Sequence, residues 1–342
     1  MIPIFPESKI YILCPPNHAT GGPEALHQLA CHLKKIGFHN VFMYYVLHDK
    51  SDTQNPVHPF YVKYDTIRAT EIEDDENNLV ITPETILKPL FNSKLKRIRK
   101  AIWWLSVTNY YIILNPRIRQ ARRDPIYWVR KIFNPKRLGT LKELQAINCY
   151  HIAHSFFSNV HLRDNGIIPN GRISDYMNQA FFEKVDESTP KQDTVIYNPV
   201  KNGAFLNEII ERTPNLNWQP LVNMTPAEVA SMMNKSKLYI DFGYHPGKER
   251  MPREACIMRC CMIIGKDGSA KYKEDMPIPD QYRFEKESSQ IDAIVSKIND
   301  CLINYEERIA DFVTYRNTLF REESDFVRDV KSVFQLVGPS EK

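Results

Sequence analysis

No stretch of the chain approaches the roughly 20 uninterrupted apolar residues that a membrane-spanning helix needs. The first residues, Met1-Ile2-Pro3-Ile4-Phe5-Pro6, carry no basic segment followed by an apolar core, so no secretory signal is read here and a cytoplasmic location is expected. The seven cysteines are odd in number and lack C-x-x-C spacing, and Cys260 adjoins Cys261. Buried reduced thiols fit this pattern better than a disulfide framework or a zinc site. Zinc-finger, RNP and helix-turn-helix signatures are missing, and so are solenoid repeats and low-complexity tracts. Neither G-x-G-x-x-G nor the lysine-bearing phosphate loop occurs, which removes support for nicotinamide or ATP binding of those kinds. There is no plausible D-x-D motif, so an obligatory metal is not expected.

What remains is a chain of 342 residues, 43% hydrophobic and 25% charged, the size of two domains with separate cores. Its net charge of +4 is unevenly spread. Between Lys94 and Arg137 stand thirteen basic residues against the single acid Asp124, so this segment carries +12 and the remainder −8. Trp103, Trp104, Tyr110, Tyr111, Tyr127, Trp128 and Phe133 lie among the cations. That mixture suits an anionic membrane surface, ranked above nucleic acid, which is not expected as a partner. The run equally fits a solvated helix face beside a buried strand, since Ala101 to Val107 has an interior composition.

Short apolar runs alternate with helical periodicity in both halves, the pattern of parallel βα units. Expected strands are Lys9–Cys14, Val41–Val46, Leu79–Thr82, Ala101–Val107 and Tyr150–His154. The helix Pro23–Ile36 follows the first strand and Gly37 closes it. The polar stretch Asp186 to Gln192 is taken as the junction between domains spanning 1–185 and 186–342. The second series begins with the strand Thr194–Tyr197 and the helix Leu206–Arg212, then a short strand at Leu221–Val222. Thr225-Pro226-Ala227-Glu228 marks a helix start, with a Thr cap, Pro at the first position and Glu three residues on. Strands at Leu238–Phe242 and Cys261–Ile264 follow, and helices occupy Ser288 to Val337.

Three turns concentrate residues able to hold an anion. Thr20-Gly21-Gly22-Pro23-Glu24 places two glycines at a helix start, where unpaired N–H groups face outward. Gly21 and Gly22 are candidates to bind an anion such as a diphosphate there, and Glu24 and His27 are catalytic candidates near the first turn. The stretch from Asp241 to Ala255 packs His245, Lys248, Glu249, Arg250 and Glu254 into ten residues. Lys248 and Arg250 would hold phosphate oxygens, Glu254 would accept from ribose hydroxyls, and His245 joins this nucleotide-binding set. Gly268 and Ser269, in the turn after the next strand, complete it.

These residues resemble the GT-B nucleotide-sugar glycosyltransferases over most of the chain. In that family two Rossmann-like domains face a cleft. Gly21-Gly22-Pro23-Glu24 is similar to the family's first glycine turn, and Pro252-Arg253-Glu254-Ala255 to its nucleotide-binding loop and helix. Asn198 and Lys201 match the segment that presents a basic residue to the donor diphosphate. The string from His245 to Ala255, with the later Gly268-Ser269-Ala270, resembles transferases of bacterial lipopolysaccharide or capsule. The resemblance implies an α/β fold and sugar transfer from a nucleotide-sugar to a glycan or lipid-linked acceptor; the basic segment 94–137 adds the separate expectation of a peripheral place at the inner face of the plasma membrane.

One departure leaves the stereochemical course open. Eight residues before Glu254, where many retaining members carry a glutamate, stands Pro246, and Glu249 is the nearest substitute. His245-Pro246 is also similar to the His-Pro motif of some transferases that use CMP-sugars. His18, Glu24, His27 and His154 are the candidates for a general base, Glu24 leading by position. A sugar-nucleotide epimerase of the same architecture and a membrane-associated scaffold remain as alternatives.

Overall fold

The computed structural model describes residues 1–46, 55–123 and 137–338. They form two compact units, 1–175 with 324–338, and 176–323.

In the first unit, β1 (Ile2–Ile4) precedes the strands of the main sheet, β2 (Ile10–Cys14), β3 (Val41–Tyr45), β4 (Ile67–Arg68) and β5 (Leu79–Pro83). β6 (Arg99–Trp104), β7 (Tyr150–Ala153) and β8 (Gly171–Arg172) follow. The sheet is parallel throughout, in the order β4-β3-β2-β5-β6-β7-β8. β2 and β5 are buried along their whole length, as expected for strands covered on both faces. Helix α1 (Gly21–Lys35) turns Leu26, Leu29, Ala30 and Leu33 inward. Beyond it Gly37 takes φ +106°, a conformation costly for a residue with a Cβ, and lets Phe38 N donate to Leu33 O at 3.0 Å.

The second unit has the parallel order β10-β9-β11-β12-β13, with β9 (Gln192–Tyr197), β10 (Asn217–Pro220), β11 (Ser236–Asp241), β12 (Cys261–Gly265) and β13 (Arg283–Phe284). Ile196, Leu238, Ile240 and Ile263 form its interior with Ile298 and Phe312. Cys256, Cys260, Cys261 and Cys301 are buried in the same core. At the expected helix start, Thr225 Oγ1 accepts from Glu228 N at 3.3 Å and Glu228 Oε2 accepts from Thr225 N at 2.6 Å.

Several expectations shift. The fourth strand stops at Trp104, because Ser106 Oγ accepts from Asn109 N at 3.1 Å and starts helix α2 (Val107–Arg123). The short strand expected at Leu221 lies at Asn217–Pro220, at the sheet edge, where proline's missing N–H is tolerated. The helices expected as far as Val337 give way to a strand: β14 (Phe334–Leu336) pairs with β1 inside the first unit. The expected boundary at 185/186 also moves. Residues 176–185 are tied to the second unit, through Met177 N to Glu322 at 3.2 Å and Asn234 Nδ2 to Lys184 O at 2.7 Å. Asp186 caps a local turn, its carboxylate accepting from Ser188 and Thr189.

Replacing Thr225 by Ala removes one half of a reciprocal cap. Urea unfolding should show a loss of about 1 kcal/mol, and no loss would show that the cap is redundant.

Candidate functional site

A parallel sheet sends its loops out at the carboxyl ends of the strands, and a crevice opens where the strand order reverses. In the first unit that point lies between β2 and β5, and in the second between β9 and β11. The residues singled out by sequence fall largely at these two places.

In the first unit, Gly21 and Gly22 begin α1 after the Thr20 cap. A Cβ at Gly22 would reach only ordinary contact, 3.7 Å from Leu105 Cδ1, so sterics do not dictate this glycine. Glu24 is buried, with Tyr64 Oη donating to its Oε1 at 3.0 Å and Lys63 Nζ at 3.7 Å.

His27 is corrected as a catalytic candidate. Its Nδ1 lies 2.7 Å from Pro23 O and its Nε2 2.8 Å from Tyr45 Oη, and the ring stacks on Tyr61 at 4.7 Å. A carbonyl oxygen only accepts, so Nδ1 carries the proton and Nε2 accepts from the tyrosine. Burial lowers the His27 pKa, and no lone pair remains to take a proton from substrate. His154 is set aside for a different reason: Nε2 lies 3.1 Å from Asp175 Oδ1, and Nδ1, though without a hydrogen-bond partner, is closed off from solvent. His18 is exposed and bonds Pro16 O through Nδ1 at 2.6 Å, which turns the basic lone pair to Nε2. His18 and Glu24 are the base candidates whose surroundings leave them able to act.

Sequence reasoning missed Glu84, one residue beyond β5. It is 3% exposed, and its Oε2 accepts from Leu105 N at 2.8 Å. Burial pushes its carboxyl up to about 8, against the opposing pull of N–H groups including those of Leu105 and Ser106. The available signal was a single acid ending the apolar run Leu79–Pro83.

In the second unit, Asn198 caps the helix Pro199–Arg212, its Oδ1 accepting from Val200 N at 3.0 Å. Lys201 Nζ bonds Glu249 and lies 5.4 Å from the Tyr244 ring centre. Lys248 Nζ donates to Glu322 Oε1 at 2.8 Å, and Arg250 Nε is 3.7 Å from Glu254 Oε1. Lys201, Lys248, Glu249, Arg250 and Glu254 thus collect on the loop and helix start after β11 and on the helix after β9.

Three other donor candidates have a different setting. His245 is fully enclosed, so its ring is not presented to solvent; its Nε2 stands 3.9 Å from Asp241 Oδ1. Ser269 is buried and spends its hydroxyl on Gly247 O at 2.5 Å, while Ser269 N donates to His245 O at 2.9 Å. Gly268 has φ +52°, and a Cβ there would fall 1.9 Å from His245 O. These residues brace the 245–248 loop from behind. Sequence reasoning also missed Glu322, and it left Arg253 out of the donor set.

The basic segment is divided by the fold. Trp103 and Trp104 are completely buried and Tyr110 nearly so, which corrects their assignment to a membrane-facing surface. Arg99 turns its guanidinium to the carbonyls of Pro3 and Asn77. Tyr127, Trp128 and Phe133 lie outside the described residues. Arg119, Arg122 and Arg123 remain exposed on α2 and Arg117 half-buried, in a helix that contains no acid. Among the described residues, no helix is long and apolar enough to cross a membrane, and no three or more His, Cys, Asp or Glu side chains gather as metal ligands do.

No protein-family model matches the chain, and no curated protein does. Solved structures do match it. Anabaena HepE in complex with UDP-glucose is 11% identical, with a TM-score of 0.55, over 95% of this chain and 96% of that one. A glycosyltransferase from Rickettsia africae is 14% identical, with a TM-score of 0.53, over 95% and 99%. Sucrose-phosphate synthase from Thermosynechococcus elongatus is 12% identical, also at 0.53, over 95% of each chain. The expected resemblance to GT-B glycosyltransferases therefore holds at the level of the fold, an α/β chain with two Rossmann-like domains.

Glu84 supplies a pH test. Its carboxyl is raised from the ordinary 4.5 to about 8, so the folded state keeps a proton that the unfolded chain releases in between. This group's contribution to stability therefore falls as pH rises from about 4.5 to 8, on the order of 1 kcal/mol per pH unit. Thermal unfolding of Glu84→Gln should show the variant gaining on the parent protein between pH 5 and 8. A pH-independent difference would place the proton elsewhere.

Proposed function

We propose that this chain is a glycosyltransferase that moves a sugar from a nucleotide-sugar to a glycan or lipid-linked acceptor, of the kind that builds bacterial lipopolysaccharide or capsule. The observation that carries the reading is the gathering of Lys201, Lys248, Arg250 and Glu254 at the strand-order reversal of the second unit. That is where a parallel sheet of this kind takes a nucleotide. The fold it shares with HepE, whose crystals hold UDP-glucose or UDP with glucose, supports the same choice of donor class.

In this reading the bond from the anomeric carbon to the diphosphate breaks, and its electron pair leaves with the phosphate. Lys201, Lys248 and Arg250 meet the charge that develops on the leaving oxygen, with no obligatory metal. The anomeric carbon passes through an oxocarbenium-like state and bonds to the acceptor hydroxyl, whose proton goes to a base. Glu24 and His18 are our candidates for that base in an inverting reaction. Glu249, held by Lys201, is the candidate for a charge near the anomeric carbon. Glu254 accepts from the ribose hydroxyls.

Calorimetric titration with UDP, GDP and CDP should find one that binds in the submillimolar range. Glu254→Ala should weaken it about 10- to 100-fold, the range of hydrogen bonds to a charged group. Absence of binding would favour a scaffold. Product analysis with the bound sugar-nucleotide should yield a new glycoside only when acceptor is added, whereas an acceptor-independent change of sugar would identify an epimerase.

We further infer that the arginine face of α2 rests on anionic lipid at the inner face of the plasma membrane. Sedimentation with phosphatidylglycerol vesicles should fall as salt rises, and charge reversal at Arg119, Arg122 and Arg123 should abolish it. Salt-independent sedimentation would reject the lipid contact.

A further inference from the structure

The turn that carries Lys201 is set off from the helix behind it. Gly203 takes φ +60° and ψ −160°, a conformation that essentially only glycine adopts, and it interrupts the helix Pro199–Arg212 near its start. A Cβ there would meet nothing within 4 Å, so the backbone, not crowding, calls for glycine. Residues 199–202 therefore do not take their place from the helix that follows.

They take it from the exit of β11. Asn202 is buried, and both ends of its amide are engaged: Nδ2 donates to Asn198 O at 2.6 Å, and Oδ1 accepts from the N–H of Phe242, the first residue past β11. Without that oxygen a buried N–H would be stranded. At the next residue, Gly243, φ lies outside the left-handed range, yet a Cβ would fall 2.7 Å from Lys201 Cβ, 3.2 Å from Lys201 O and 2.9 Å from Asp241 Oδ1. Here crowding calls for glycine, and much of it comes from the base of the Lys201 side chain. The main chain and Cβ of Lys201 are thus fixed against the exit of β11, while its ammonium reaches Glu249 further along the same loop.

We propose that Asn202 and Gly243 are positioning residues for the donor diphosphate, acting through Lys201: together they hold the 199–202 turn against the exit of β11 and so set where the ammonium stands. This rests on the nucleotide-sugar reading above and names the residues that place one cation of that site.

The test reads two probes, UDP and uridine, or the guanine or cytosine pair if the parent protein prefers that base. Asn202→Ala and Gly243→Ala should each weaken the diphosphate about tenfold by calorimetry, the size of one charge-assisted hydrogen bond. Both should leave the nucleoside, followed by ligand-observed NMR, within about twofold. Lys201→Met keeps the Cβ and removes the ammonium; in that background neither change should weaken the diphosphate by more than about a further twofold, because the charge they place is already gone. Multiplied losses would show a route that bypasses Lys201, through Asp241 for instance, and would overturn the proposal. Parental diphosphate affinity in both single variants, or equal loss of nucleoside and diphosphate, would overturn it as well. Should Asn202→Ala or Gly243→Ala fail to fold, Gly203→Ala disturbs the same turn with nothing for its methyl group to strike; a diphosphate-specific loss is expected, and parental affinity would be contrary. A parent protein that binds none of these nucleotides would overturn the functional reading itself, and this inference with it.

Discussion

Four cations stand around the carboxyl ends of β9 and β11, and each has a carboxylate of the same unit against it. Lys201 faces Glu249, Arg250 faces Glu254, and Lys248 and Arg253 face Glu322. Without the interleaved acids, these positive charges would repel one another and open the loop between β11 and the helix Arg250–Ile257. With them, the loop has a defined shape. The pairing also makes possible the complete burial of Arg253, whose hydrogen bonds to the carbonyls of 248 and 249 stiffen the turn.

The first unit uses its ionisable groups differently. His27 and Glu24 lie on the first turns of α1 in a buried polar cluster with Tyr45, Tyr61 and Tyr64, in which both nitrogens of His27 are bonded while Glu24 takes a bond from Tyr64 at Oε1. One acid and one histidine so close to a helix N-terminus read alike in sequence whether they meet substrate or each other's neighbours. Glu84 shows the converse: burial gives an ordinary-looking glutamate an unusual affinity for a proton, against the pull of the Leu105 and Ser106 N–H groups.

What was legible in the sequence is what local physics decides. The central strands, the close of α1 at Gly37 and the start at Thr225 depend on residues a few positions apart, and all lie where the pattern put them. Lys248 and Arg250 could be found because they stand in a dense charged run, Lys201 only through the family resemblance, and Arg253 was left out. Glu322 could not, since it reaches Lys248 across 74 positions and sits in a run of helical charge like any solvated face. Trp103 and Trp104 were ambiguous for a related reason. An aromatic next to a cation is compatible with a lipid surface or with the end of a buried strand, and only the pairing of β6 between β5 and β7 decides. The union of β1 with β14 joins residues near opposite ends of the chain, which periodicity does not register.

The contact between Gly268 and the His245 carbonyl makes two stretches of chain one mechanical part. With 1.9 Å available where a methyl group would sit, a side chain at 268 is admitted only if the 245–247 backbone retreats, and Ser269 then loses its grip on Gly247. Sequence drift in either loop is thus conditional on the other. Anyone grafting a different specificity onto this scaffold would have to transplant the pair together.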